Sequence, residues 1–340
     1  MGLPTTKARD SSRIFSATKM ETTMRMKTLF CVLALAIAPA VQAQTYPAGP
    51  VKVVVPFAAG SSTDLIGREA ARVLSEGLHQ SFVVENRPGA QSTIGASEVA
   101  RAKPDGYTLL IGSNTSIAAA PFLLKSVPYK PLTDLQAVAR IGAVPFVLVA
   151  RADLPVDTPQ ALIDYGHQHP GKLNWGYANA ANQAAAAMMT YTSKMDTVAV
   201  PYTSVPQMVV DMLGHRLDFG IIDTTNAGPQ VAAGKLRALA VTSGQPLQQF
   251  PGVPPLGDTL QGYELLGWYG VYAPAKTPPQ IVDTLAKVLI KGMDSPETKA
   301  RLAKAGLIPY PAGPEELARF GQLETDKWAR MVKAAGIQPE

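Results

Sequence analysis

Four consecutive polar residues, Ser61-Ser62-Thr63-Asp64, stand where an apolar run gives way to a helical pattern, and their types suit anion binding. Ahead of them, Val51-Lys52-Val53-Val54-Val55 has the β-branched content of a buried strand of the parallel type. Behind them, Leu65, Ile66, Ala70, Val73, Leu74 and Leu78 recur at helical spacing. Small residues in between leave N–H groups and hydroxyls at a helix start, where the first N–H groups lack internal partners and the dipole favours negative charge. The chemistry would be capture of a carboxylate or phosphate. A plainer role fits the same residues: they cap the helix, worth roughly 0.5–2 kcal/mol, and Asp64 pairs with Arg68 one turn on.

The arrangement recurs. A strand over 107–111 runs into Gly112-Ser113-Asn114-Thr115-Ser116, and a strand over 172–177 runs into Ala178-Asn179-Ala180-Ala181-Asn182 and an Ala/Met-rich helix over 183–191. Loops at strand C-termini point into the crevice where open α/β sheets bind ligands. Ser113 and Asn114 either line it or only cap. Asn179 and Asn182 tolerate left-handed backbone and add amide donors for a carboxylate. Asp223 ends a buried strand, where it either pairs locally or meets a ligand amine or hydroxyl.

Other candidates carry less. His167-Gln168-His169 has no third ligand nearby and runs into Pro170-Gly171, so a solvated helix end is expected there and no metal. Trp175 and Tyr177 share one strand face and read as core. No G-x-S-x-G, P-loop, G-x-G-x-x-G or H-E-x-x-H string occurs, and His79, His167, His169 and His215 fall outside the candidate loops. No enzyme and no cofactor are expected; an exported hydrolase is an alternative that the residues support poorly.

These loops need elements to hold them, and strands alternate with helical patterns through most of the chain, which predicts α/β architecture with largely parallel sheets. Further strands are expected at 81–85, 144–151, 198–202, 219–223 and 236–241. Helices are expected at 94–103, 158–167, 206–213, 280–293 and 315–335, the third with Met208, Val209, Met212 and Leu213 inward. Ala152-Asp153-Leu154-Pro155 reads as the crossover into a second domain, and residues 268–273 as the return.

Residues 1–43 fall outside this fold. Arg25 and Lys27 precede an apolar stretch over 29–38, and Val41-Gln42-Ala43 offers a cleavage site before Gln44, the pattern of a secretory signal peptide. The stretch is short of the roughly 20 residues that span a bilayer. Met24 or Met26 is the expected true start. Six Lys and Arg against Asp10 and Glu21 remove four of the chain's five net positive charges with the leader, so the remainder is close to neutral. Nucleic acid, which wants a clustered basic face, is not an expected partner. Cys31, the sole cysteine, leaves too, which excludes disulfides and thiol chemistry. The part that stays is long enough for two domains with a core each.

Longer strings then resemble a known family. Val54-Val55-Pro56-Phe57 with Gly60 and Thr63-Asp64, Val83-Val84-Glu85-Asn86-Arg87-Pro88-Gly89-Ala90, Pro104-Asp105-Gly106-Tyr107-Thr108-Leu109-Leu110, Val200-Pro201-Tyr202 and Leu236-Arg237-Ala238-Leu239-Ala240-Val241-Thr242 are similar to the Bug receptors. These are the extracytoplasmic solute-binding proteins of tripartite tricarboxylate transporters. The resemblance implies a two-lobed type II periplasmic binding protein fold with a hinged cleft, lobe 1 being 44–147 plus 270–340 and lobe 2 being 148–269. It implies a periplasmic, monomeric receptor that closes on a small di-, tri- or aromatic carboxylate and delivers it to a membrane permease. The alternative is an adaptor presenting the same ligand to a membrane sensor kinase. Expected pocket residues are Phe57, Ala59, Gly60, Ser61, Ser62, Thr63, Asp64, Ser113, Asn114, Ala178, Asn179, Asn182, Tyr202 and Asp223. Departures gather there: Ser61-Ser62 and Gln91-Ser92-Thr93 replace family glycines, and Asn179 to Gln183 replace a Gly-rich loop and its His.

Overall fold

The β-branched run forms β1 (Val51–Val55), and the polar turn after it opens α1 (Ser62–Leu78), which buries Ile66, Ala70, Val73 and Leu74 and leaves Leu65 turned outward. The computed structural model describes residues 1–4, 46–334 and 339. The expected leader with its cleavage site and Cys31 thus lies outside the described residues, save its first four. Two crossovers follow: β2 (Phe82–Asn86), α2 (Thr93–Ala100) and β3 (Thr108–Ser113), with β1 lying parallel between β2 and β3. Val53 and Val55 feed one apolar cluster and Val54 another, as expected of a parallel strand covered on both faces.

β4 (Leu135–Arg151) is one continuous 17-residue strand, of which the sequence reading found only the second half. Residues 135–145 pair antiparallel with β9 (Leu266–Pro274), and β9 pairs with β3, completing the first sheet. Residues 146–150 pair instead with β7 (Phe219–Asp223) and 147–151 with β8 (Leu236–Val241). The change of sheet therefore falls at Pro145–Phe146, inside the strand, and not at Ala152–Pro155. β9 lies wholly in the first sheet, so the return precedes Leu266. The second sheet is completed by β5 (Leu173–Tyr177), parallel to β7 and to β6 (Thr197–Pro201).

Helices α3 (Pro159–Gln168), α4 (Ala180–Thr192), α5 (Val205–Leu213) and α6 (Thr224–Ala232) belong to the second half. α7 (Pro279–Met293), α8 (Pro296–Lys304) and α9 (Pro314–Ala334) follow β9, with β10 (Ile308–Ala312) returning beside β4. Met208, Val209 and Met212 are buried as expected; Leu213 is only half-buried. One apolar cluster runs from Val53 and Ile111 through Ile141 and Leu148 to Phe219 and Trp175, so β4 carries the core from one sheet into the other. No helix among the described residues is long and apolar enough to cross a membrane.

Candidate functional site

The turn after β1 is organised by its acid. Ser61 Oγ accepts from the Asp64 N–H at 3.2 Å, an N-cap bond. Asp64 Oδ2 accepts from the Gly60 N–H and from Arg68 Nε, both at 3.0 Å, and Oδ1 accepts from Asn86 Nδ2 at 2.9 Å. Asn86 Nδ2 also donates to the Phe57 carbonyl at 3.0 Å, so both ends of the turn hang on one carboxylate and one amide. Burial alone would raise the Asp64 pKa; the Arg68, Gly60 and Asn86 bonds outweigh it and hold it below the ordinary value. The capping reading accounts for Ser61 and Asp64. What remains for a ligand are the Ser62 and Thr63 N–H groups, which have no intrahelical carbonyl to reach, while Ala59 and Gly60 are exposed at the loop tip.

Tyr269 was missed by the sequence reading and ties three of the strand ends together. Its hydroxyl donates to Ser62 Oγ at 2.8 Å, and its backbone stands opposite Ser113 in the β3–β9 ladder. Burial and then the Asp223 carboxylate push its pKa up, which keeps it a proton donor. Read as one more core aromatic in a crossover strand, it carried no signal in the sequence alone. Ser113 and Asn114 are both buried, and the Ser113 N–H donates to Ser116 Oγ at 3.0 Å as the strand turns into a π-helical turn over Asn114–Ala119. That turn packs on α4.

The second half spends more of its polar groups than expected. Asn179 Oδ1 caps α4 by accepting from the Asn182 N–H at 3.0 Å. The helix thus begins three residues before its apolar pattern does. Asn182 is fully buried; its Nδ2 donates to the Ile221 carbonyl at 3.0 Å, and its Oδ1 has no partner among the described residues. Asp223 Oδ1 caps α6, accepting from the Asn226 N–H, Asn226 Nδ2 and the Thr225 hydroxyl. Trp175 is core, as expected; His169 is exposed at the end of α3, the solvated helix end expected, with its ring stacked on Tyr165. Among the described residues no group of three or more His, Cys, Asp and Glu could hold a metal.

A cavity of about 350 Å³ lies between the halves, walled by Pro56, Phe57 and the Pro88–Ser92 turn on one side and by Ala178, Tyr202 and Thr203 on the other. Tyr202 donates to Asp211 Oδ2 at 3.0 Å, and burial followed by that bond pushes its pKa up to about 12. A larger depression, about 870 Å³, runs along α1 and β2 between Arg68 and Val84, at the opposite end of β2 from this cavity. The turn on the first wall contains Gln91 and Ser92, which stand in place of family glycines but are not among the expected pocket residues. Gly89, Ala90, Gln91 and Ser92 have φ of 130°, 43°, 47° and 72°, and the Thr93 N–H donates to the Ala90 carbonyl at 3.1 Å. That is type I′ geometry, which favours Gly and Asn. Holding other residues in it costs roughly 1–2 kcal/mol each.

Strand C-termini and helix starts that meet on a cavity between two linked α/β halves define a two-lobed periplasmic binding protein of type II. The comparisons give the family. Residues 66–337 match the tripartite tricarboxylate transporter family receptor, and the chain belongs to that family. It is 35% identical to BugT of Bordetella pertussis over 328 residues, 93% of this chain and 99% of that one. The Rhodopseudomonas palustris protein Rpa4515, solved with adipate, is 32% identical with a TM-score of 0.84, covering 87% of this chain and 100% of that chain. MatC from Rhodopseudomonas palustris, solved with bound malate, is 29% identical with a TM-score of 0.79, covering 84% and 100%.

Proposed function

We propose that this chain is an exported receptor that captures a small carboxylate in the cavity between its lobes and, by closing on it, presents it to the permease of a tripartite tricarboxylate transporter. One observation carries the reading. Among the described residues, buried side-chain oxygens of Gln91, Ser92, Asn182 and Gln183 lack a hydrogen-bond partner, and all four sit on the segments that follow β2 and β5. Buried polar groups are normally paired, so this concentration supports a ligand or ordered water bound beside these segments. The Ser62 and Thr63 N–H groups at the α1 terminus suit the carboxylate itself. Adipate and malate in the two solved relatives support the ligand class.

The energetics are adequate. Micromolar affinity needs about −8 kcal/mol. Charge-assisted hydrogen bonds supply about 1.5–3 kcal/mol each, and a helix terminus roughly 0.3–2 kcal/mol, before the entropic cost of binding. The test is a thermal-shift panel of mono-, di- and aromatic carboxylates against their amides. At about 100 times Kd a true ligand adds roughly 2.7 kcal/mol, which raises Tm by several degrees. Stabilisation by the amides and not by any carboxylate would overturn the reading.

A further inference from the structure

Ser92 stands at the N-cap of α2, a position where serine ordinarily bonds a helix N–H, yet its hydroxyl makes no capping bond. The cause is its backbone. A φ of 72° puts Ser92 in the left-handed region instead of the extended region that a capping residue adopts. Its Oγ is consequently buried and unpaired, with the residue only 2% exposed, and Gln91 Oε1 beside it is buried and unpaired as well. Both residues line the 350 Å³ cavity.

The other polar side chains lining the cavity, on the facing wall, are already committed. Tyr202 donates to Asp211, and Thr203 Oγ1 donates to Gln207 Oε1 at 2.7 Å, both within the opposite lobe. The remaining side chains there are apolar, and no charged residue lines the cavity. A second carboxylate placed against this wall would give up its hydration with no cationic side chain to replace it. A hydroxyl would both donate to Gln91 Oε1 and accept from Ser92 Oγ.

We propose that Gln91 and Ser92 form a specificity subsite that reads an uncharged hydroxyl on the part of the ligand lying against the Pro88–Ser92 turn. The preferred ligands are then carboxylates with a neutral hydroxylated tail, in preference to plain alkyl acids or dicarboxylates of equal length. The subsite rests on the receptor reading above, since it needs a carboxylate held elsewhere in the same cleft.

Calorimetric titration of the purified protein with two matched series tests it: butyrate, 4-hydroxybutyrate and succinate, then hexanoate, 6-hydroxyhexanoate and adipate. In at least one series the hydroxy acid should bind about tenfold tighter than both companions. The double variant Gln91→Gly/Ser92→Gly should erase that preference, bringing the affinities for the hydroxy acid and the alkyl acid to within about threefold of each other. Its Tm should hold or rise, because glycine suits these φ values. A preference that survives in the double variant, its absence from both series in the unaltered protein, or tighter binding of the dicarboxylates would overturn the subsite alone. Failure of all six carboxylates to bind would overturn the receptor reading and the subsite with it.

Discussion

Asp64 is an acid at the entrance of the proposed carboxylate site, and its bonds resolve the conflict. Its charge is matched by Arg68 at 3.0 Å, and its oxygens shape the turn that presents Ser62 and Thr63. Because its pKa is lowered in the folded protein, its contribution is present above the ordinary carboxylate pKa of 3.8 and is lost as pH falls through the folded value. Asp64→Asn should therefore cost about 1–3 kcal/mol at pH 7, several degrees of Tm. The gap between the two proteins should close as pH drops below about 4. A gap independent of pH in melting curves would show that the charge contributes nothing. Ser62 behaves differently. Its Oγ accepts from Tyr269, and a carboxylate there could accept the same bond at a helix start. Ser62→Asp should fold, yet its charge would occupy the N–H groups offered to the ligand and repel it, lowering affinity by a factor of ten or more, about 1.4 kcal/mol. Unchanged affinity by calorimetry would move the carboxylate away from α1.

Among the elements, those with a clean period were legible and those held by distant partners were not. β1 and β7 declare themselves by β-branched, buried runs, β8 by a mostly apolar one, and α1, α7 and α9 by one apolar face. α6 contains Gly228 and Pro229 and buries only Thr224, Ala227 and Gly228, too narrow a face to register. α8 buries only Thr298 and Leu302; Arg301 Nε to Glu69 Oε1 at 3.0 Å and Arg72 to Thr298 at 3.1 Å tie it to α1, and no local pattern encodes those contacts. β10 carries Pro309 and Pro311, which disguise an edge strand. At the site, strand-end loops could be read from small polar residues. The Gln91-Ser92 turn is marked only through the family resemblance, because its left-handed backbone uses residues that do not announce it. α2 is positioned by a close approach: a Cβ on Gly95 would lie 2.9 Å from the Arg87 carbonyl and 3.0 Å from Pro56 Cβ. Gly95→Ala should cost about 1–3 kcal/mol by overpacking and weaken ligand binding, since Pro56 and the segment after Arg87 wall the cavity. Gly60→Ala meets no atom within 4 Å and should cost only its left-handed strain, about 1–2 kcal/mol. Urea denaturation of both variants compares them directly, and equal losses would deny the packing constraint at Gly95.

For the whole molecule, the question is what binding does to the relation between lobes. β4 passes unbroken through both sheets, and the chain returns once, between β8 and β9. A molecule linked this way can bend at the change of sheet near Pro145–Phe146 while each sheet stays intact. The cavity draws walls from both halves, so under the proposed closure a ligand that fills it would touch both. Such a ligand shifts the equilibrium by its differential affinity for the closed form and by no more. A compact chain of this size has a radius of gyration near 19 Å, and small-angle scattering resolves a change in it on saturation. A ligand found by the thermal-shift panel should lower that radius, and the Ser62→Asp protein should show the unliganded radius at the same ligand concentration. If the radius stays fixed while Tm rises, the ligand binds without drawing the lobes together, and the partner must recognise it by some signal other than closure.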